Sequence, residues 1–194
     1  MWISLRNKMI MLIFFIVLIL TGCSESGSNK YSVDSKQDVL ETRKEITEGD
    51  FIYRLVSEKD EYVENGQVKL YAELEYIGVE EKIEISHAAS PFYFPMVEKT
   101  RNYQIDYGMN EPLLHTTLIK GESLREEYSP GGGYSSQDDK AYIDFMKHIM
   151  NSEFPIGHYV VKGGAHFFVV GLDTEEEKKF RIDSEIAFKV TSEK

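Results

Sequence analysis

From Phe51 onward, apolar and polar residues alternate with a period of two, the mark of strands with one buried face. The pattern opens with "FIYRLVS". It is clearest in "QVKLYAELEYIG", where Val68, Leu70, Ala72, Leu74 and Tyr76 share one face and Gln67, Lys69, Glu73 and Glu75 largely occupy the other. Asn65-Gly66, just ahead of it, is a strong hairpin signal. "EKIEISH" alternates at Ile83 and Ile85, "NYQIDY" follows, and "LLHTTLIKGES" turns at Lys120-Gly121. "GHYVVKGGAHFFVVG" keeps Tyr159, Val161, Gly163, Ala165, Phe167 and Val169 in phase across Gly163-Gly164. The glycines are compatible with a bulge or a hairpin turn, and the unbroken phase favours one long strand. In "KFRIDSEIAFKV", Phe180, Ile182, Ile186, Phe188 and Val190 share a face.

One segment has a different period. "SQDDKAYIDFMKHIMN" places Tyr142, Phe145, Met146 and Ile149 at helical spacing, behind Ser136 or Asp138 as N-cap. Asp138 and Asp139 at its start and Lys147 and His148 near its end suit the helix dipole. Seven or so short strands and one inserted helix predict an all-β, antiparallel β-sandwich over residues 51–194, with the helix capping one end.

The N-terminus follows another logic. Arg6 and Lys8 precede an unbroken apolar run, Ile10 to Leu20, which is short for a membrane-spanning helix. This is the layout of a secretory signal peptide. It ends in Leu20-Thr21-Gly22-Cys23, which resembles the lipobox of bacterial lipoproteins of Gram-positive type. That resemblance implies cleavage before Cys23 and a diacylglyceryl group on its thiol. Two acyl chains hold a protein stably at a membrane where one does not. Residues 1–22 are then a signal peptide, and 23–50, polar and rich in serine, a lipidated cysteine and flexible tether. A flexible chain of that length spans roughly 25–30 Å. Cys23 is the single cysteine, so no disulfide is expected in the folded part.

The chain carries 22 basic and 33 acidic residues, net −11; without Arg6 and Lys8 the balance is −13. So acidic a surface argues against a nucleic-acid partner and against electrostatic docking on anionic lipid. The five histidines, His87, His115, His148, His158 and His166, form no HExxH and no close-spaced ligand pair. "SPGGGYSS" lacks the ending of a phosphate loop and reads as a mobile surface loop; "SSQDD" lacks alternating calcium ligands. No Gly-X-Ser-X-Gly elbow is present. Neither metal nor cofactor is expected, and no residue constellation supports an enzyme.

One stretch is less neutral. "HAASPFYFPMVEKTRNYQIDYGMNEPLL" gathers Phe92, Tyr93, Phe94, Tyr103 and Tyr107 among prolines. Neighbours in a strand point to opposite sides, so Phe92 and Phe94 belong to one face and Tyr93 to the other. Exposed aromatics stack on sugars or fill partner pockets. Phe92, Tyr93, Phe94, Tyr107 and, on the adjacent glycine loop, Tyr134 are the candidate contacts.

Two further motifs, Gly121-Glu122-Ser123-Leu124 with Tyr128, and Pro155, Gly157 and Tyr159 of "FPIGHYVV", resemble the intracellular proteinase inhibitor domain of bacilli. The resemblance implies an immunoglobulin-like sandwich. Its matching residues are turn glycines and core aromatics. The expected function is a non-catalytic binding or accessory module at the cell envelope, lipid-anchored on the extracytoplasmic face of the membrane. Its expected partners are the membrane, through Cys23, and an envelope protein or glycan. An envelope protease inhibitor is the alternative. Cys23→Ala is expected to abolish lipid attachment and leave an uncleaved or mislocalised precursor; labelled fatty acid found on the variant would refute the anchor.

Overall fold

The computed structural model of the chain describes residues 40–170 and 177–193. Cys23, the expected signal peptide and most of the expected tether lie outside the described residues. The compact unit Asp38–Lys194 has its own hydrophobic core and is all-β apart from one helix.

Four strands form the first sheet, in the order β1 (Arg43–Glu48), β2 (Phe51–Ser57), β4 (Leu70–Tyr76), β10 (Ser123–Glu127). The folded part therefore starts earlier than residue 51. Arg43–Glu48 pairs antiparallel with β2, Arg43 opposite Val56 and Glu48 opposite Phe51. Its one apolar residue, Ile46, packs against the core. A polar edge strand needs little apolar content because only one of its faces meets the core.

The rest of the sandwich-like body is a three-stranded ribbon interrupted in the middle. Its central strand is β11 (Gly157–Val161) followed by β12 (Gly164–Val170). These lie in two different sheets, so the single strand expected here is divided, and it is not a hairpin either. Yet the register runs on through the break. Val161 faces Ile186 of β14 (Ile186–Thr191), and three residues along each chain Gly164 faces Asp183 of β13 (Glu177–Asp183). On the other side Val161 faces Met96 of β7 (Met96–Glu98), and Gly164 faces Tyr93 of β6 (Phe92–Tyr93), again three residues apart. All three chains leave the strand pattern at one level, at Phe94-Pro95, Lys162-Gly163 and Ser184-Glu185. Backbone bonds Lys162 N–H to Pro95 O (2.8 Å) and Ser184 N–H to Gly163 O (2.8 Å) bridge them there.

The first sheet packs against this ribbon. Phe51 meets Phe167 and Phe180 edge-on, each at 4.8 Å between ring centroids. Tyr53 stacks with Phe92 at 6.3 Å. At the break a Cβ on Gly163 would lie 2.8 Å from both Leu55 Cδ atoms, so glycine lets the two layers approach this closely.

The ribbon's outer edges are completed by shorter strands. β8 (Tyr103–Ile105) extends β7, and β5 (Lys82–His87) with β9 (Leu114–Ile119) extends β12. β3 (Glu61–Val63) pairs with β14 in parallel, one exception to the antiparallel scheme. The Asn65-Gly66 turn is formed, with Asn65 at φ 62°, but the strands it joins belong to different sheets and make no hairpin. Helix α1 (Lys140–Met150) starts at Asp139, not at Ser136 or Asp138, and buries Phe145, Met146 and Ile149. It lies against β8, where Phe145 and Tyr142 meet Tyr103 edge-on at 5.1 and 5.2 Å.

Glu98, at the end of β7, is a carboxylate with 0% of its surface exposed. Burial pushes its pKa up, but hydrogen bonds from Thr100, Arg101 and His158 outweigh that and hold it below the ordinary carboxylate range. Its Oε1 accepts the Thr100 N–H at 2.7 Å and its Oε2 the Arg101 N–H at 2.8 Å. Because the folded pKa is depressed, its stabilising contribution is present above the unfolded value, about 4.3, and is lost as pH falls through the folded one. In Glu98→Gln an amide NH₂ must face a backbone donor. We expect a loss of about 1.5–3 kcal/mol near neutral pH, with a weaker acid dependence, read by denaturant unfolding at neutral and acidic pH. Equal stability of variant and parent at pH 7 would contradict this.

Candidate functional site

The alternation inside "PFYFP" separates the aromatics. Phe92 and Phe94 are buried in the core, and Tyr93 sits half-buried on the outer face of the ribbon. Tyr107 links the two faces, with its ring edge-on to Phe94 at 5.6 Å and to Tyr93 at 6.4 Å. Tyr128 closes the inner cluster, 5.8 Å from Phe94. Burial raises the hydroxyl pKa of Tyr107, and that of Tyr128 more strongly. Tyr134 is not among the ring contacts of this cluster: its exposed ring lies 6.0 Å from Lys147 Nζ of α1.

The glycine loop runs against the segment that follows β8. Gly131 O accepts the Gly108 N–H at 2.8 Å. A Cβ on Gly131 would come within 2.7 Å of Gly108 O, and one on Gly132 within 2.6 Å of Asp106 O. Its glycines thus let one backbone run against another.

Tyr93 stands between two adjoining depressions of about 380 and 650 Å³ on the outer face of β6, β12 and β13. Tyr93, Glu111, His166 and Arg181 line both. His87, Leu113 and Lys179 belong to the first, and Tyr107, Lys162 and Asp183 to the second. The imidazole of His166 lies under the Tyr93 ring, 4.5 Å between centroids at an interplanar angle of 32°. Its Nε2 is 3.0 Å from Asp183 Oδ1, and Asp183 Oδ2 is 3.4 Å from Arg181 Nε. Burial raises the Tyr93 hydroxyl pKa, Glu111 adds to the rise and Arg181 opposes it. The groove therefore offers an aromatic platform between fixed acidic and basic groups.

The sequence pointed to Tyr93 and Tyr107 in this groove but not to His166, Arg181, Asp183 or Glu111. His166, Arg181 and Asp183 occupy outward positions of their strands, where polar residues are the rule. What unites them is cross-strand register, His166 opposite Arg181 and Gly164 opposite both Tyr93 and Asp183, which periodicity within one strand does not contain. The remaining histidines are structural or dispersed. His87 is held at both nitrogens, by Ala88 O and Thr116 Oγ1 at 2.8 Å each. Among the described residues no three His, Cys, Asp or Glu side chains are grouped to hold a metal ion, and no hydroxyl or thiol hydrogen-bonds His166.

The residues behind the resemblance to the inhibitor domain are scaffold. Gly121 takes the turn at φ 77°. Tyr159 is fully buried and donates its hydroxyl to Pro155 O at 2.6 Å. A Cβ on Gly157 would lie 2.5 Å from Glu98 Oε1. No family model matches the chain, and no curated protein or solved structure compared with it gives a match.

Truncation should separate scaffold from surface. Phe92→Ala and Phe94→Ala are each expected to cost about 3–5 kcal/mol, and Tyr93→Ala clearly less. Denaturant midpoints of the three variants measure this, and equal losses at all three would place Tyr93 in the core.

Proposed function

We propose that the chain is a lipid-anchored, non-catalytic binding module of the cell envelope that contacts its partner through the Tyr93 groove. The reading takes the diacylglyceryl group on Cys23 as membrane anchor and places the domain on the extracytoplasmic face. Leu20-Thr21-Gly22-Cys23 behind a charged and then apolar run supports the anchor. The immunoglobulin-like form of the sandwich is part of the same proposal and rests on the Gly121–Tyr128 and Pro155–Tyr159 motifs.

The observation that carries the binding role is the platform itself. Tyr93 is stacked on His166 and flanked by Glu111 and Arg181, on a sheet face otherwise given to solvent. Half-buried aromatics held by rigid strands, with a few placed polar groups, are how such modules take an envelope protein or glycan. The groove contains no nucleophile joined to a base, so recognition suits it better than turnover.

The test is retention of envelope components on the immobilised Asp38–Lys194 unit, with protein and glycan fractions applied separately. Tyr93→Ala and Arg181→Ala are expected to lower retention of one fraction at least about tenfold, a loss in the range of a truncated contact residue, with the unfolding midpoint unchanged in Arg181→Ala and Tyr93→Ala still folded at the assay temperature. Retention equal to the parent in both variants would remove the groove from consideration.

A further inference from the structure

The sheet edges of this domain are unequally protected. β1 ("RKEITE"), β10 ("SLREE") and β13 ("EKKFRID") are studded with charges, and β3 and β8 are three residues long. Charge and shortness are what keep sheet edges from pairing with other chains. β9, "LHTTLI", is six residues long and has no charged Asp, Glu, Lys or Arg. It pairs with β5 and, among the described residues, with no other strand.

The ladder defines which backbone groups are left over. Ile119 faces Lys82, and the Lys120 N–H donates to Glu81 O at 2.9 Å. Residue 120 is thus in a hydrogen-bonded pair, and so, two by two, are Leu118, Thr116 and Leu114. The N–H and C=O groups of His115, Thr117 and Ile119 point away from β5, and of these Ile119 O is already taken by the Glu122 N–H at 3.0 Å. A cleft of about 190 Å³, lined by Thr117, Ile119 and Leu124 among others, opens along the same edge.

The sequence along this edge is close to a palindrome. Around Thr116 it reads Leu113-Leu114-His115-Thr116-Thr117-Leu118-Ile119. Laid antiparallel on a copy of itself with a two-fold axis at Thr116, it sets Leu113 opposite Ile119, Leu114 opposite Leu118, and His115 opposite Thr117. Every apolar residue meets an apolar one, and no like charges are opposed, which is the pairing rule for a stable two-stranded contact. In that register the outward groups of His115 and Thr117 of one copy bond those of Thr117 and His115 of the other. Leu113 and Ile119 are 70% and 49% exposed, so the pairing would cover surface that the single copy leaves in water.

We propose that β9 is a self-association edge through which two copies of this chain join their β9-containing sheets across a two-fold axis at Thr116. The contact is isologous and closes on itself, giving a dimer and not a filament. It does not rest on the proposed function, although Leu113 also lines the Tyr93 groove.

Sedimentation equilibrium of the Asp38–Lys194 unit from micromolar to near-millimolar concentration tests it. A reversible monomer–dimer equilibrium is expected. Thr117→Pro removes one outward N–H and no bond to β5, a position where an edge strand accepts proline. It should leave the unfolding midpoint near that of the parent and abolish the dimer. Ile119→Lys, at an exposed position, should weaken the dimer about tenfold through the two lost Leu113–Ile119 pairs, and decides the matter if Thr117→Pro does not fold. A monomer across the whole range, or a dimer that persists in the folded variants, would overturn the proposal.

Discussion

The contact between Leu55 and Gly163 sets the geometry of this domain. The first sheet can lie this close to the ribbon only if side-chain volume is missing where they meet. With Gly163 in place, Phe51 reaches Phe167 and Phe180, and Tyr53 reaches Phe92. Tyr53 is deeply buried, with its hydroxyl close to Ser184 but outside hydrogen-bonding geometry.

Continuous register across the break explains why inner and outer surfaces are so cleanly divided. Because no residue is gained or lost in register, Tyr159, Val161, Ala165 and Phe167 all stay inside, and Phe180, Ile182, Ile186 and Phe188 likewise. The polar positions between them accumulate on the outside, where cross-strand neighbours bring His166, Arg181 and Asp183 beside Tyr93. The groove is thus a by-product of the same alternation that builds the core. Glu98 is the exception, an acid turned inward and held by backbone donors from its own turn and from His158.

Much of this was legible in the sequence. The faces of β2, β4, β12 and β14, the apolar stripe of α1, and the split of Phe92 and Phe94 from Tyr93 follow from spacing alone. What was hidden depends on partners. Alternation reports which side a residue takes, not which sheet, so one continuous pattern covered β11 with β12 and another β13 with β14. β1 was hidden because a surface edge strand with Ile46 as its sole apolar residue is indistinguishable by composition from a tether. Tyr134 seemed near the aromatic cluster because it is near in sequence to the glycine loop, but the loop delivers it to α1.

The three aligned breaks, crossed in register, constrain how this chain can change length. Deleting one residue between Gly157 and Val170 would invert everything beyond it, turning Phe167 to solvent and His166 and Phe168 into the core. A compensating deletion would then be needed in each neighbouring strand at the same level. Insertions and deletions should therefore be confined to the connections, such as the segment between β9 and β10 or the run from Ser129 to Asp139, while the ribbon itself diverges only by substitution.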